Sequence, residues 1–312
     1  MKLQRAFAAG LLSFMPALTG CLVHRHTVLK THPPQFVFGA SLDELLNATT
    51  TRYGQLNSMV LPVLISASTG GSTQGVIKES ISFKGYIIIG KPQHIRVLLQ
   101  VPLLGSAALD MVSDGNNFKL VIPPKRCAIV GSDVSQPSQK GLYSLRPAVI
   151  LDSLLIKGRD EGQVVSMTQD SRVVANPDKR KDYIQEPDYD IEFLSQPTGP
   201  VANTLRVLHI SRVNLLPYRQ DIYNADGKVA TQAIYSNYQK FGDIQFPTRI
   251  VIQRPLDELG LTIEVTRGNF NQTLQPDQFD LQIPAGTVTQ NMDDPVSAKS
   301  NPCVAHETQS PR

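Results

Sequence analysis

The residue best placed to carry chemistry in this 312-residue chain is a cysteine near its start, Cys21. It follows Leu18-Thr19-Gly20. Ahead of these lie two cations, Lys2 and Arg5, and an apolar run from Ala6 to Leu18. A charged head, an apolar stretch and small residues before a cut make an export signal. The run is too short to remain in a bilayer as a spanning helix. The other two thiols, Cys127 and Cys303, lie far apart in sequence. In an oxidising envelope they are able to pair, which would staple the C-terminal tail to the body. Two unpaired thiols are the alternative, because spacing does not reveal proximity. No C-x-x-C occurs, which argues against redox or zinc chemistry.

Other reactive types are present without the pattern that would make them a site. His24-Arg25-His26 and His32 are metal-ligand types, but their segment has no scaffold to hold a metal. His94 and His209 fall within strand patterns and read as sheet-face histidines. The carboxylate pairs Asp293-Asp294 and Asp188-x-Asp190 lie in or beside loops. Solvated charge is the expectation there, with calcium binding as the lesser reading. A G-x-S-x-G elbow, an H-E-x-x-H pair, a phosphate-binding loop and a G-x-G-x-x-G turn are all absent from the sequence. The expectation is a protein with no catalytic residues, no metal and no cofactor, hence not an enzyme.

The order Leu18-Thr19-Gly20-Cys21 resembles the bacterial lipobox, in which the cysteine thiol is acylated and becomes the first residue of the mature chain. The resemblance implies a domain held outside the cytoplasm by lipid on Cys21. Loss of residues 1–20 removes Lys2 and Arg5 and leaves 28 cations against 27 anions, a net charge of +1. A near-neutral chain without a dense basic stripe does not point to nucleic acid. Aromatics are 6% and tryptophan is absent, which disfavours a stacking surface for sugars or bases.

The elements that must position any site are mostly strands. Residues 21–40 are polar, broken by Pro33-Pro34, and read as a tether. Ser41-Leu-Asp-Glu44 is a capping-box pattern that starts a helix over Leu42–Leu56. Period-two alternation follows at Ile81, Phe83, Ile87 and Ile89, then at Ile95, Val97, Leu99 and Val101. Asp114-Gly115-Asn116 makes a hairpin between Leu109–Val112 and Phe118–Ile122. A second helix, Pro147–Ile156, is apolar nearly all round and should be buried. Further strands are expected at 163–168, 189–194, 204–212, 217–223, 230–238, 248–253 and 259–268, with Asp226-Gly227 as a hairpin turn. Residues 286–312 hold three prolines, many small polar residues and few apolar ones, and read as a disordered tail. The fold class is therefore α+β, mainly antiparallel β, with a strongly curved half-open barrel over 41–285 closed by helices. An apolar concave face needs a cover. A permanent cover gives a plain core, and a loose one gives a pocket for a hydrophobic ligand. Both remain open at this level.

An ordered series of short motifs adds to this. It comprises Phe83-x-Gly85, Lys91-Pro92-x-x-Ile95-Arg96-Val97, Val101-Pro102-Leu103-Leu104-Gly105 and Ser113-Asp114-Gly115-x-x-Phe118. Arg212-x-x-x-Leu216-Pro217, Asp226-Gly227, Tyr235-x-x-Tyr238 and Phe246-Pro247 continue it. Over residues 75–285 the series resembles the lipoprotein-sorting family of the periplasmic carrier LolA and the outer-membrane receptor LolB, and is nearer the receptor. The resemblance implies a cavity for the acyl chains of lipids or lipoproteins and a periplasmic carrier protein as partner. It also implies a mouth loop on which Leu103 and Leu104 touch the membrane or accept cargo. Leu22, rather than Asp, after Cys21 implies the outer membrane, with the domain facing the periplasm. The extra length around Gly158–Pro200, with the charged stretch Pro177–Asp182, departs from the family. The alternative expectation is a non-enzymatic assembly lipoprotein that uses the same fold with a filled core.

Overall fold

Alternation of apolar and polar side chains makes one face of each strand apolar, and such faces lower their free energy by closing over one another. In the computed structural model, which describes residues 27–71, 75–133, 146–197 and 199–294, the chain does this with one large sheet. The strands of the first half are β1 (Ser58–Gly71), β2 (Val76–Glu79), β3 (Phe83–Gly90), β4 (His94–Gln100), β5 (Ala107–Ser113), β6 (Asn117–Ile122) and β7 (Cys127–Ser132). Those of the second are β8 (Val164–Ala175), β9 (Tyr183–Leu194), β10 (Thr204–Ser211), β11 (Pro217–Tyr223), β12 (Val229–Phe241), β13 (Ile244–Arg254) and β14 (Leu259–Val265). The short β15 (Asn269–Phe270) and β16 (Val288–Asn291) complete it. Among the described residues the α-helices are α1 (Leu42–Gly54) and α2 (Pro147–Leu154).

The order across the sheet is β16-β7-β6-β5-β4-β3-β1-β14-β13-β12-β11-β10-β9-β8, with β2 and β15 also paired to β1. Among the described residues these strands pair antiparallel, except β16 on β7. The sheet stays open at its two ends, so the half-open arrangement holds and a closed barrel does not. Its curvature is read from packing. Cys127 and Ile129 of β7 share one buried cluster with Ile250 and Ile252 of β13, although six strands lie between them.

Strand β1 was not legible from periodicity, and it is central. Its buried residues Met59, Leu61, Val63 and Ile65 alternate with half-buried ones. Pro62 sits in its middle, where a missing N–H would normally break a ladder. The sheet tolerates it because pairing with β14 ends at Val63↔Val265 and pairing with β15 starts at Val60↔Asn269. Pro62 lies in that gap, and only its carbonyl is used, by Thr266 N–H at 3.0 Å.

Helix α1 starts as its capping box dictates. Ser41 Oγ accepts from Glu44 N–H at 3.3 Å, and Glu44 Oε2 accepts from Ser41 N–H at 2.7 Å. The helix buries Leu45 against Tyr189, Ile191, Phe193, Leu208 and Ile210. Helix α2 has Pro147 in its first turn, and Asp133 Oδ1 accepts from Ala148 N–H at 3.2 Å. Its Ile150, Leu151 and Leu154 are buried in the main cluster.

A smaller compact unit joins the described residues up to Gln35 with Arg172–Glu186. The expected tether is therefore not free throughout. His32 pairs with Ile184, and its Nε2 lies 2.9 Å from Asp182 Oδ2. Asn176 Nδ2 donates to the same oxygen at 2.8 Å, which engages the charged stretch ending at Asp182. The expected disordered tail also begins with an ordered segment, because β16 adds main-chain pairs to β7.

Strands β3 and β4 approach closely at Gly85. A Cβ built there would stand 2.0 Å from the Leu98 carbonyl oxygen. Gly85→Ala is expected to cost about 1–3 kcal/mol by forcing the backbones apart. Urea unfolding of the variant measures it, and an unchanged midpoint would contradict the tight pairing.

Candidate functional site

Halfway along the concave face the packing stops. Toward one end of the strands, Met59, Leu61, Ile87, Ile89, Ile95 and Phe118 fill the core solidly. Toward the other end a cavity of about 300 Å³ remains. Its walls are Ile65 and Ala67 of β1, Phe83 of β3, Val97 and Leu99 of β4, and Ala108, Leu109 and Met111 of β5. Leu120 and Ile122 of β6, and Leu261 and Ile263 of β14, complete them. Ile150 of α2 also lines it, and Ser80 and Lys125 are the polar lining residues. An apolar cavity twice the ~150 Å³ that holds a benzene binds an apolar guest more readily than it stays wet.

Register shows which end is open. Ile65 pairs with Phe83, Lys84 with Gln100, Gln100 with Ala107, and Ile122 with Cys127. On the other side Ala67 pairs with Leu261 and Arg254 with Leu259. The β4–β5 loop, the β6–β7 turn and the β13–β14 turn therefore gather at the cavity end. The two turns are alike: Pro123–Lys125 and Pro255–Asp257 are 3₁₀ turns, each closed by a residue with positive φ, Arg126 and Glu258.

The β4–β5 loop places the expected contact residues. Val101 N–H donates to Ser106 O at 2.8 Å and Gly105 N–H to Val101 O at 3.0 Å, which closes the loop. Leu103, with φ of 69°, stands at the tip and is fully exposed, and Leu104 is 77% exposed. They do not pack on neighbours. Ile81 and Leu256 are further exposed apolar residues at this end. The remaining sequence candidates divide. Cys21 and Cys303 lie outside the described residues. Cys127 is buried at the start of β7 and is disulfide-bonded.

The carboxylates Asp188 and Asp190 correct the expectation of solvated charge. Both lie inside β9 and join a polar network on its face away from Tyr189 and Ile191. His209 Nδ1 is 2.5 Å from Asp190 Oδ1, and its Nε2 is 3.4 Å from Asp221 Oδ2. Tyr218 donates to Asp188, and Arg219 pairs with Asp221. The pairings Asp190↔His209 and Asp221↔Gln232 bring these groups together. Burial works against the charged form of His209, but the hydrogen bond to Asp190 and the nearby Asp221 carboxylate outweigh it and hold its pKa above the ordinary value. Burial likewise opposes the charge on Asp221, yet His209, Arg219 and Gln232 hold its carboxyl well below the usual range. Among the described residues no group of three or more metal-ligand types is placed to hold an ion.

A raised folded pKa means that the stability from His209 is fully present below its unfolded value of ~6.5 and is lost as pH rises through the folded value. The difference in Tm between the native chain and His209→Gln should therefore be largest below about pH 6.5 and shrink as pH rises above it. A difference that grows with rising pH would contradict the charged-pair geometry.

No family model matches the sequence, and comparison with curated proteins finds no match. Several solved structures are similar to this chain at low identity. One is a DUF1329 family protein from Desulfovibrio piger, with 14% identity and a TM-score of 0.48, matched over 76% of this chain and 94% of that one. A LolA superfamily protein from Nitrosomonas europaea has 14% identity and a TM-score of 0.46, over 76% and 97%. A Vibrio parahaemolyticus domain described as outer membrane lipoprotein-sorting has 8% identity and a TM-score of 0.47, over 76% and 95%. At these scores the cavity itself, rather than the likeness, carries the functional reading.

Proposed function

We propose that this chain is a lipoprotein anchored in the outer membrane through acylated Cys21, and that it takes the acyl chains of lipids or lipoproteins into its cavity for transport or insertion. One observation carries the proposal: the concave face leaves about 300 Å³ unfilled, walled by apolar side chains and open beside an exposed Leu103-Leu104 tip. At ~30 Å³ per group this is room for about ten methylenes. With about 0.8 kcal/mol for each, the gross gain is ~8 kcal/mol. Lost freedom on association reduces that, which leaves affinity in the micromolar range or weaker. An affinity of that order suits a carrier, which must let go of what it binds. No covalent step is called for. The rival reading, an assembly lipoprotein with a filled core, requires this face to be packed throughout.

The test is uptake of a fluorescent fatty acid by the native chain, followed by transfer to vesicles. Leu103→Glu with Leu104→Glu should slow transfer by tenfold or more, about 1.4 kcal/mol on the barrier, and leave Tm unchanged because both side chains are already in solvent. Unaltered transfer would remove the loop from the mechanism. Absence of uptake in the native chain would remove the carrier.

A further inference from the structure

In an apolar cavity the few polar groups of the wall decide which guest is preferred. Here they are Ser80 and Lys125. Ser80 is spent on the backbone. Its Oγ accepts from Ala67 N–H at 2.8 Å and gives its one proton to Ile81 O at 3.0 Å. Its own N–H donates to Ala67 O at 2.7 Å. These bonds hold the segment after β2 onto β1 and leave no hydroxyl proton for a ligand. Lys125 is different. An ammonium carries three donors and no acceptor, so a donor turned to the protein leaves others for a guest.

The position of Lys125 is set by its turn. Pro123 and Pro124 fix two φ angles, and Arg126 N–H closes the turn on Pro123 O at 3.0 Å. Ile122, the last residue of β6, lines the wall, and its pairing with Cys127 anchors the base of the turn. Lys125 is exposed and also lines the cavity, which places it at the rim. A lysine there keeps its carbons on apolar surface and its charge in water. The nearby acids are committed elsewhere. In the β13–β14 turn, Asp257 Oδ2 accepts from Arg254 Nε at 2.6 Å. Glu258 lies against Gly71, where an added Cβ would stand 3.2 Å from its Oε1. Glu79 lines a separate pocket with Ser66 and Arg249. No acid is among the described residues that line the cavity. Space fixes the number of chains. About 300 Å³ takes one chain of about ten methylenes, and a second would need as much again. A chain that enters tail first leaves its head at the rim.

We propose that the cavity takes a single acyl chain whose head group is anionic, and that Lys125 is the residue that reads that head. The inference rests on the carrier reading of the cavity and adds the class of its ligand. The carboxylate of a free fatty acid and the phosphate of a one-chain lipid share this chemistry. A neutral head gains no charge pairing from Lys125.

The test is isothermal titration calorimetry of the full chain with decanoate, decyl phosphate and decanol, which share a chain length and differ in the head. The native chain should bind the anions about tenfold more tightly than decanol, as expected for a hydrogen bond to a charged group. Lys125→Met keeps an apolar stem and removes the charge. It should erase that preference and leave decanol binding unchanged, while Lys125→Arg should keep the preference. Added salt should narrow it, because the pair forms at an exposed rim. Tighter binding of decanoate supports a free fatty acid as the source of the head, and tighter binding of decyl phosphate supports a one-chain lipid. Equal binding of all three by the native chain, or a preference that survives Lys125→Met, overturns the role of Lys125. So does a Lys125→Met variant that weakens all three alike, since the lysine would then be only a piece of wall. Absence of binding by all three removes the carrier reading itself, and the head-group reading falls with it.

Discussion

Ala108→Trp abolishes uptake of a fluorescent fatty acid while the domain remains folded. Ala108 is half-buried on β5, next to Leu109 where the β4–β5 register shifts, and is among the residues that line the cavity. An indole in that place occupies space the guest would need, and it does so without displacing a neighbour from the filled half of the core. Uptake should fall by at least about 100-fold, equivalent to ~2.7 kcal/mol of the gross burial gain. Tm should stay the same or rise, because an apolar void is being filled. Ala67→Trp across the cavity on β1 repeats the test from another wall. Binding that survives both substitutions would place the ligand elsewhere.

Phe193→Ala carries the largest expected loss of stability. Phe193 is wholly buried on β9 and packs with Leu45, Ile191, Leu208 and Ile210. The Arg206 guanidinium lies 3.6 Å above its ring. Burial pushes the Arg206 pKa down to about 10. Besides the ring it has Gln220 Oε1 at 3.3 Å and the Gly158 carbonyl as partners. Removing the ring leaves a cavity and strips one face of a cation already drawn from water. The expected cost is about 3–5 kcal/mol, a fall in Tm of about 10 °C or more. A double-mutant cycle of Phe193→Leu with Arg206→Met separates the cation–π part, expected at about 0.5–2 kcal/mol. A cost for Phe193→Ala below about 1 kcal/mol would mean that this second core is loosely packed.

What the sequence made legible follows periodicity and local chemistry. Ile87 and Ile89, Ile95 and Val97, the capping box at Ser41 and the Pro147 helix start are written within a few residues, and each element forms where its pattern indicates. Strand β1 was hidden because Pro62 interrupts it and because half-buried Leu64 blurs the alternation. Asp188, Asp190 and His209 gave no sign of meeting, since their contact is set by the β9–β10 register. Asp221 comes from a third strand. The choice between a filled core and a pocket also depended on distance in sequence. Ile65, Leu109 and Leu261 line one cavity from strands up to two hundred residues apart, and no local pattern records how completely their side chains fill the space. The exposure of Leu103 was read from a motif, and the closed backbone of residues 101–106 gives it a physical cause.

Native mass spectrometry of the chain purified from cells without detergent tests the central claim most directly. A carrier with an apolar cavity should retain a bound amphiphile, seen as an adduct that fragments to a phospholipid, a fatty acid or an acylated peptide, and Ala108→Trp should lack it. A clean apo mass for the native chain, together with no uptake of added fatty acid, would contradict the carrier and return the fold to the role of an assembly platform.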